Sequence, residues 1–230
     1  MSIRTIQASE GLDAVWDELV YTEAVVSAEP LARPLAALIA ALIARTELAQ
    51  AAQKAAWRAE LVAQALVDHA DVNLDDKVTV FALDLARAEA GDKRSPRFKL
   101  YFPHTVSEVV RLGLESEIKR IDSWPQTLAG ETDATLTTYG PAFTSLITDG
   151  KAALQARQDS AIARATQRVR EILTLVDDVN NTRLSLAGQL TQIGVAHHLA
   201  KDWADRFFRH LHKTPRSADP TPAVTPAPTR

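Results

Sequence analysis

The chain has 230 residues, of which 46% are hydrophobic and 24% charged, with a formal net charge of −3 and no cysteine. That length can bury a sizeable core, and the balance is ordinary for a soluble globular protein. The charge excludes a generally basic nucleic-acid binder though not a local basic patch, and the missing cysteine excludes disulfides, thiol catalysis and thiolate metal sites.

The first 29 residues carry Glu10, Asp13, Asp17, Glu18, Glu23 and Glu29 against Arg4 alone, without the basic start and apolar run of a secretory signal. Ser9 is a candidate N-cap for a short amphipathic helix through Leu12, Val15, Trp16, Leu19 and Val20. Pro30 and Pro34 punctuate the passage to the next helix, since proline is tolerated in a first helical turn.

From residue 35 to about 70 the chain reads as one alanine-rich helix with Leu35, Leu38, Leu42, Ala49, Ala52, Ala56, Ala59, Ala63 and Leu66 at heptad spacing. Residues 35–44 are apolar nearly all round. They amount to about half of the ~20 residues that span a bilayer, so a helix buried on more than one side is expected. Asp71, Asn73, Asp75 and Asp76 predict a break, with Asn73 capping a new helix that runs to Gly91. Residues 91–103 contain Pro96 and Pro103, and the alternation of Phe98, Leu100 and Phe102 with Lys99 and Tyr101 predicts a short extended segment. Thr105 and Glu108 have the spacing of a capping box, opening a helix through Val106, Val109, Val110, Leu114, Ile118 and Ile121 that ends at Trp124-Pro125. A threonine-rich link leads to Pro141.

Beyond Pro141 an apolar stripe of Val169, Ile172, Val176, Val179, Leu186, Leu190 and Ile193 keeps a 3-4 alternation, with Arg183 out of character. Asp177, Asp178, Asn180 and Asn181 interrupt its polarity but not its phase. They therefore read as a polar layer inside one helix, and Asp71, Asn73, Asp178, Asn180 and Arg183 become candidates for setting helix register. The proline-rich residues 213–230 are expected to be a disordered tail.

Pro34 and Pro141 stand 107 positions apart, as do Asp71-Val72-Asn73 and Asp178-Val179-Asn180, and each half closes on an aromatic cluster. This order of landmarks suggests an internal duplication with halves 30–103 and 137–211. The expected architecture is all-α: an elongated antiparallel helical bundle of two long helices, compatible with a duplicated helical hairpin, with shorter packing helices in a single domain over residues 1–212.

Asp71-x-Asn73-x-Asp75 matches the start of a calcium loop, but Asp76 and Ala82 replace the required glycine and glutamate. His197, His198, Asp202, His210 and His212 show no convergent zinc set, and no phosphate loop or nucleophile motif occurs. Lys93, Arg94, Arg97, Phe98, Lys99, Tyr101 and Phe102 form a basic-aromatic constellation suited to an anion, and more simply read as an aromatic plug with solvated charges. The leading expectation is a non-enzymatic structural or interaction protein without a cofactor, self-associating through its heptad-patterned helices. A second is a binding module for an anionic ligand, nucleotide or nucleic acid at residues 93–102. A third is a membrane-active protein that exposes residues 35–44 after rearrangement. Constitutive membrane insertion is not expected, and a cytoplasmic location is.

Overall fold

The computed structural model describes residues 3–209, which are helical with no strand. Nine α-helices are formed among them: α1 (Leu12–Ala28), α2 (Ala36–Ala88), α3 (Pro96–Tyr101), α4 (Val106–Val109), α5 (Leu114–Ile121), α6 (Trp124–Ala129), α7 (Ala134–Thr137), α8 (Tyr139–Gln167) and α9 (Leu173–Ala196). A π-helical turn, Arg168–Ile172, joins α8 to α9, and 3-10 turns lie at Ala8–Glu10, Arg33–Leu35 and Trp203–Phe207. The all-α expectation holds. The proline-rich tail, His210 and His212 lie outside the described residues.

The chain forms two compact units. One contains the chain up to Thr46 and again from Val176; the other is Glu47–Leu175. In the first, α1 buries Leu12, Val15, Leu19 and Val26, and the turn Trp203–Phe207 packs on α1 with Trp203 and Phe207 edge to face at 4.8 Å. In the second, Phe81 of α2 is the centre of an aromatic core, with ring centroids 5.0 Å from Tyr101, 5.5 Å from Trp124, 5.2 Å from Tyr139 and 5.5 Å from Phe143. Such edge and tilted contacts add to the area term that dominates a core. Glu60 pairs with Arg164, and the Tyr139 hydroxyl donates to Asp84 at 2.6 Å, so α2 and α8 run antiparallel in this unit.

Local structure corrects several expectations. The break at Asp71 does not form: α2 runs through it for 53 residues. Ala63, Val67, Leu74, Val78, Phe81 and Leu85 are all buried, and a stripe in phase outweighs the few tenths of a kcal/mol by which each Asp or Asn disfavours helix. Asn73 bonds to His69 one turn back, at 3.0 Å, and caps nothing. Residues 96–101 are helical, not extended. Ser95 caps them by accepting the Phe98 N–H at 3.1 Å, Pro96 takes the first turn, and Phe98, Tyr101 and Phe102 share the buried face while Leu100 is 63% exposed.

The single helix expected from Thr105 to Ile121 is instead α4 and α5, divided at Gly113, whose φ of 71° is a backbone state suited to glycine; the Thr105 side chain makes no cap bond. Trp124-Pro125 opens α6 where it was expected to close a helix, and the threonine-rich link folds into α7, capped by Asp133. Gly150 is a packing position: a methyl there would meet the Ile118 Cδ1 at 2.7 Å, so α5 lies close on α8.

The helix expected after Pro141 continues through Asp177, Asp178, Asn180 and Asn181 as read, although a π turn precedes it and it ends at Ala196. Both long helical runs stop alike. Ala90 (φ 52°) and His198 (φ 54°) are left-handed, with Gly91 N–H bonded to Ala86 C=O and Leu199 N–H to Gly194 C=O, each at 2.8 Å. These are Schellman closures, each followed by a short helical turn with buried aromatics.

Candidate interaction surface

Residues 35–44 are not buried on several sides. Ile39 and Leu42 are covered, but Leu38 is 49% exposed, and only 17% of the most apolar 18-residue window in this helix is buried. By length and composition alone the helix could cross a membrane.

The more unusual stretch lies in the second unit. Between residues 47 and 62 α2 buries no side chain fully, and α8 with the turn after it buries none between 154 and 171. The heptad pattern read from the sequence is here two patterns. Ala63 is buried, with Ala49 and Ala56 half-buried on its side of the helix; Ala59, Leu66 and the half-buried Ala52 join Leu48, Ala55 and Val62 in a second stripe that points outward. Leu48 is 72% exposed, Val62 53% and Leu66 51%, and Ala55 and Ala59 are exposed. The stripe goes on through His69, Asn73 and Asp76 to Val80 and Leu83, both exposed. On another side of α2, Trp57 (54% exposed) and Leu61 line an open groove of about 860 Å³ whose other wall is Leu154, Arg157, Ala161 and Arg164 of α8.

The residues predicted from sequence are dispersed. In the segment 93–102, Phe98, Tyr101 and Phe102 are core. Arg97 is held by Glu131 (Nε to Oε2 3.1 Å) and by Glu89 (3.2 Å), which raise its pKa, and the Tyr101 hydroxyl donates to Glu131 at 3.1 Å. Burial first, and then Glu131, raises the Tyr101 pKa as well. Lys99 donates to the Pro103 carbonyl, and Lys93 and Arg94 are exposed. This is an aromatic plug with charges at its rim.

Asp178, Asn180 and Arg183 do converge, in the first unit. Asn180 accepts the Ile6 N–H and donates to the Ile6 carbonyl, each at 2.9 Å, as one strand of a ladder would. Arg183 donates to the Arg4 carbonyl at 3.0 Å and to Glu18 at 3.1 Å, with both charged side chains almost fully buried, and Asp178 pairs with Arg45 at 2.7 Å. Asn180 and Arg183 anchor the N-terminal segment, and Asp178 anchors the first part of α2.

Asp71 and Asp75, one turn apart on α2, meet Glu117 of α5. Glu117 is fully buried and neither of its oxygens finds a donor. Burial first, then Asp75 and Asp71, pushes its pKa to about 9, and Asp75 is raised too, chiefly by burial. Glu117 is therefore protonated at neutral pH and can donate to Asp75. Glu18 and Glu117 were missed in the sequence, although each stands at an apolar-stripe position, Glu18 between Val15 and Thr22 and Glu117 between Leu114 and Ile121.

Comparison with protein-family models, with curated proteins and with solved structures finds no match.

Proposed function

We propose that this chain is a non-enzymatic interaction protein that works by helix–helix association, presenting the outward heptad stripe of α2 in the Glu47–Leu175 unit to a partner helix. One observation carries the reading: between residues 47 and 62 α2 fully buries no side chain, yet repeats apolar residues at coiled-coil spacing toward solvent. A helix gains most of its stability from packing an apolar face, and burying an exposed Leu or Val contributes about 1.5–3 kcal/mol. The stripe is thus a face that association would stabilise. The anion-binding alternative at residues 93–102 has no comparable support, because its aromatics are packed inside and Arg97 is engaged by two carboxylates.

Sedimentation equilibrium tests the proposal. The expected result is a mass that rises with concentration and returns to that of a monomer in the Leu48→Glu, Leu66→Glu double variant. A wild-type chain that stays strictly monomeric up to millimolar concentration removes self-association. One that also floats with uncharged phosphatidylcholine vesicles replaces the helix partner with a membrane surface.

A further inference from the structure

We propose that the partner is a second copy of the chain, with the two α2 helices antiparallel about a two-fold axis midway between Ala55 and Ala59. This rests on the preceding reading and adds partner, direction and register to it. The stripe is Leu48, Ala52, Ala55, Ala59, Val62 and Leu66, at steps of four, three, four, three and four, and all of it is exposed except the half-buried Ala52. It reads nearly the same from either end: leucine, a smaller side chain, alanine, then alanine, a smaller side chain, leucine. A closed dimer needs a patch complementary to itself under a two-fold rotation, and this one is.

In that arrangement Ala55 lies against Ala59 of the second copy, Ala52 against Val62 of the second copy and Leu48 against Leu66 of the second copy. The alanine layers at the axis let the helices approach to about 8 Å, and a leucine pair closes each end. No side chain at the centre has to move aside.

Charge decides direction. The same stripe continues to Asp76, which is exposed. Parallel in-register pairing sets Asp76 against Asp76 of the second copy inside the seam, where both carboxylates lose water. The antiparallel register carries the two Asp76 residues to opposite ends. Its own like-charge contact is Arg58, which flanks the axis at the rim, where a long side chain can turn into solvent. The antiparallel dimer should accordingly tighten as salt screens Arg58. The six positions span about 27 Å of helix, which puts the contact at the low end of specific interfaces in size.

The absence of native cysteine permits a direct test. Ala55→Cys and Ala59→Cys are prepared separately; both positions are exposed, so the fold is retained and checked by circular dichroism. Under mild oxidation an equimolar mixture should yield several-fold more covalent dimer than either variant alone. The like positions of an antiparallel pair are displaced by about 6 Å along the axis, beyond comfortable disulfide reach. Efficient cross-linking of each variant with itself means a parallel pair and overturns this inference while leaving the proposed function standing. Association by sedimentation without a cross-link in the mixture also overturns it. A monomer under all conditions overturns this inference and leaves the proposed function with a different chain as its partner helix. As a second readout, Ala55→Glu and Ala59→Lys should each weaken association, and mixing them should restore it; failure to restore counts against the register.

Discussion

Two buried acids define what single residues do here. Glu117 keeps its proton in the folded protein up to about pH 9, whereas in the unfolded chain it ionises in the ordinary carboxyl range. Between those limits unfolding releases a proton, so stability falls as pH rises, by up to about 1.4 kcal/mol per unit. Asp75, also raised, acts in the same direction. Glu117→Gln keeps the shape and removes the titration; urea melts from pH 5 to 9 should show a flatter profile and a gain over wild type at the alkaline end. A profile unchanged by the substitution would mean that Glu117 is ionised in the folded state.

Glu18 has the opposite chemistry, because Arg183 faces it at 3.1 Å with both side chains buried. Burial lowers the Arg183 pKa, Glu18 opposes that, and a guanidinium stays charged regardless. Arg183→Met should cost about 3 kcal/mol by leaving the buried Glu18 with Arg4 alone, at 3.8 Å, and adding Glu18→Leu should recover most of it. If the two losses simply add in denaturant melts, the pair is not coupled.

At the scale of elements, the ends of the long helices are strained and their middles are not. Ala90 adopts a left-handed conformation that costs an L-residue about 1–2 kcal/mol, partly offset by the entropy a glycine would lose. Ala90→Gly should therefore raise stability by about 0.5–1 kcal/mol, read as an increase in melting temperature; a decrease would show that the Ala90 methyl packs usefully. Element type was legible over most of the chain. Element limits were not, and for definite reasons. Phe98 and Phe102 satisfy a period of two as well as an i,i+4 helical pair, and only the buried position of Tyr101 distinguishes them. The break at Gly113 turns on one backbone angle that a neighbouring apolar pattern conceals. Asp71, Asn73 and Asp75 carry turn chemistry, yet the stripe from Ala63 to Leu85 stays in phase across them and packing prevails.

For the whole molecule, each compact unit has its own core and its own polar anchor. The four tryptophans divide evenly, Trp16 and Trp203 in the first unit and Trp57 and Trp124 in the second. Trp57 is on a different side of α2 from the outward stripe, so acrylamide should quench it equally well in monomer and dimer. Protection of Trp57 on association would place the contact in the groove.

By itself the sequence determined the helical class, the apolar phase of each long run and the continuity of the helix through Asp177 and Asn181. All of these follow from periodicity, a property of neighbours along the chain. Tertiary structure alone decided which half of the α2 heptad faces inward. Ala56 and Ala63 differ little from Ala59 and Leu66 in local propensity, and only packing in the folded unit leaves the first two half-buried or buried and the other two exposed. It also gave Asn180 and Arg183 their task. Their partners, Ile6, Arg4 and Glu18, lie more than 160 positions away, a separation over which no local pattern carries information.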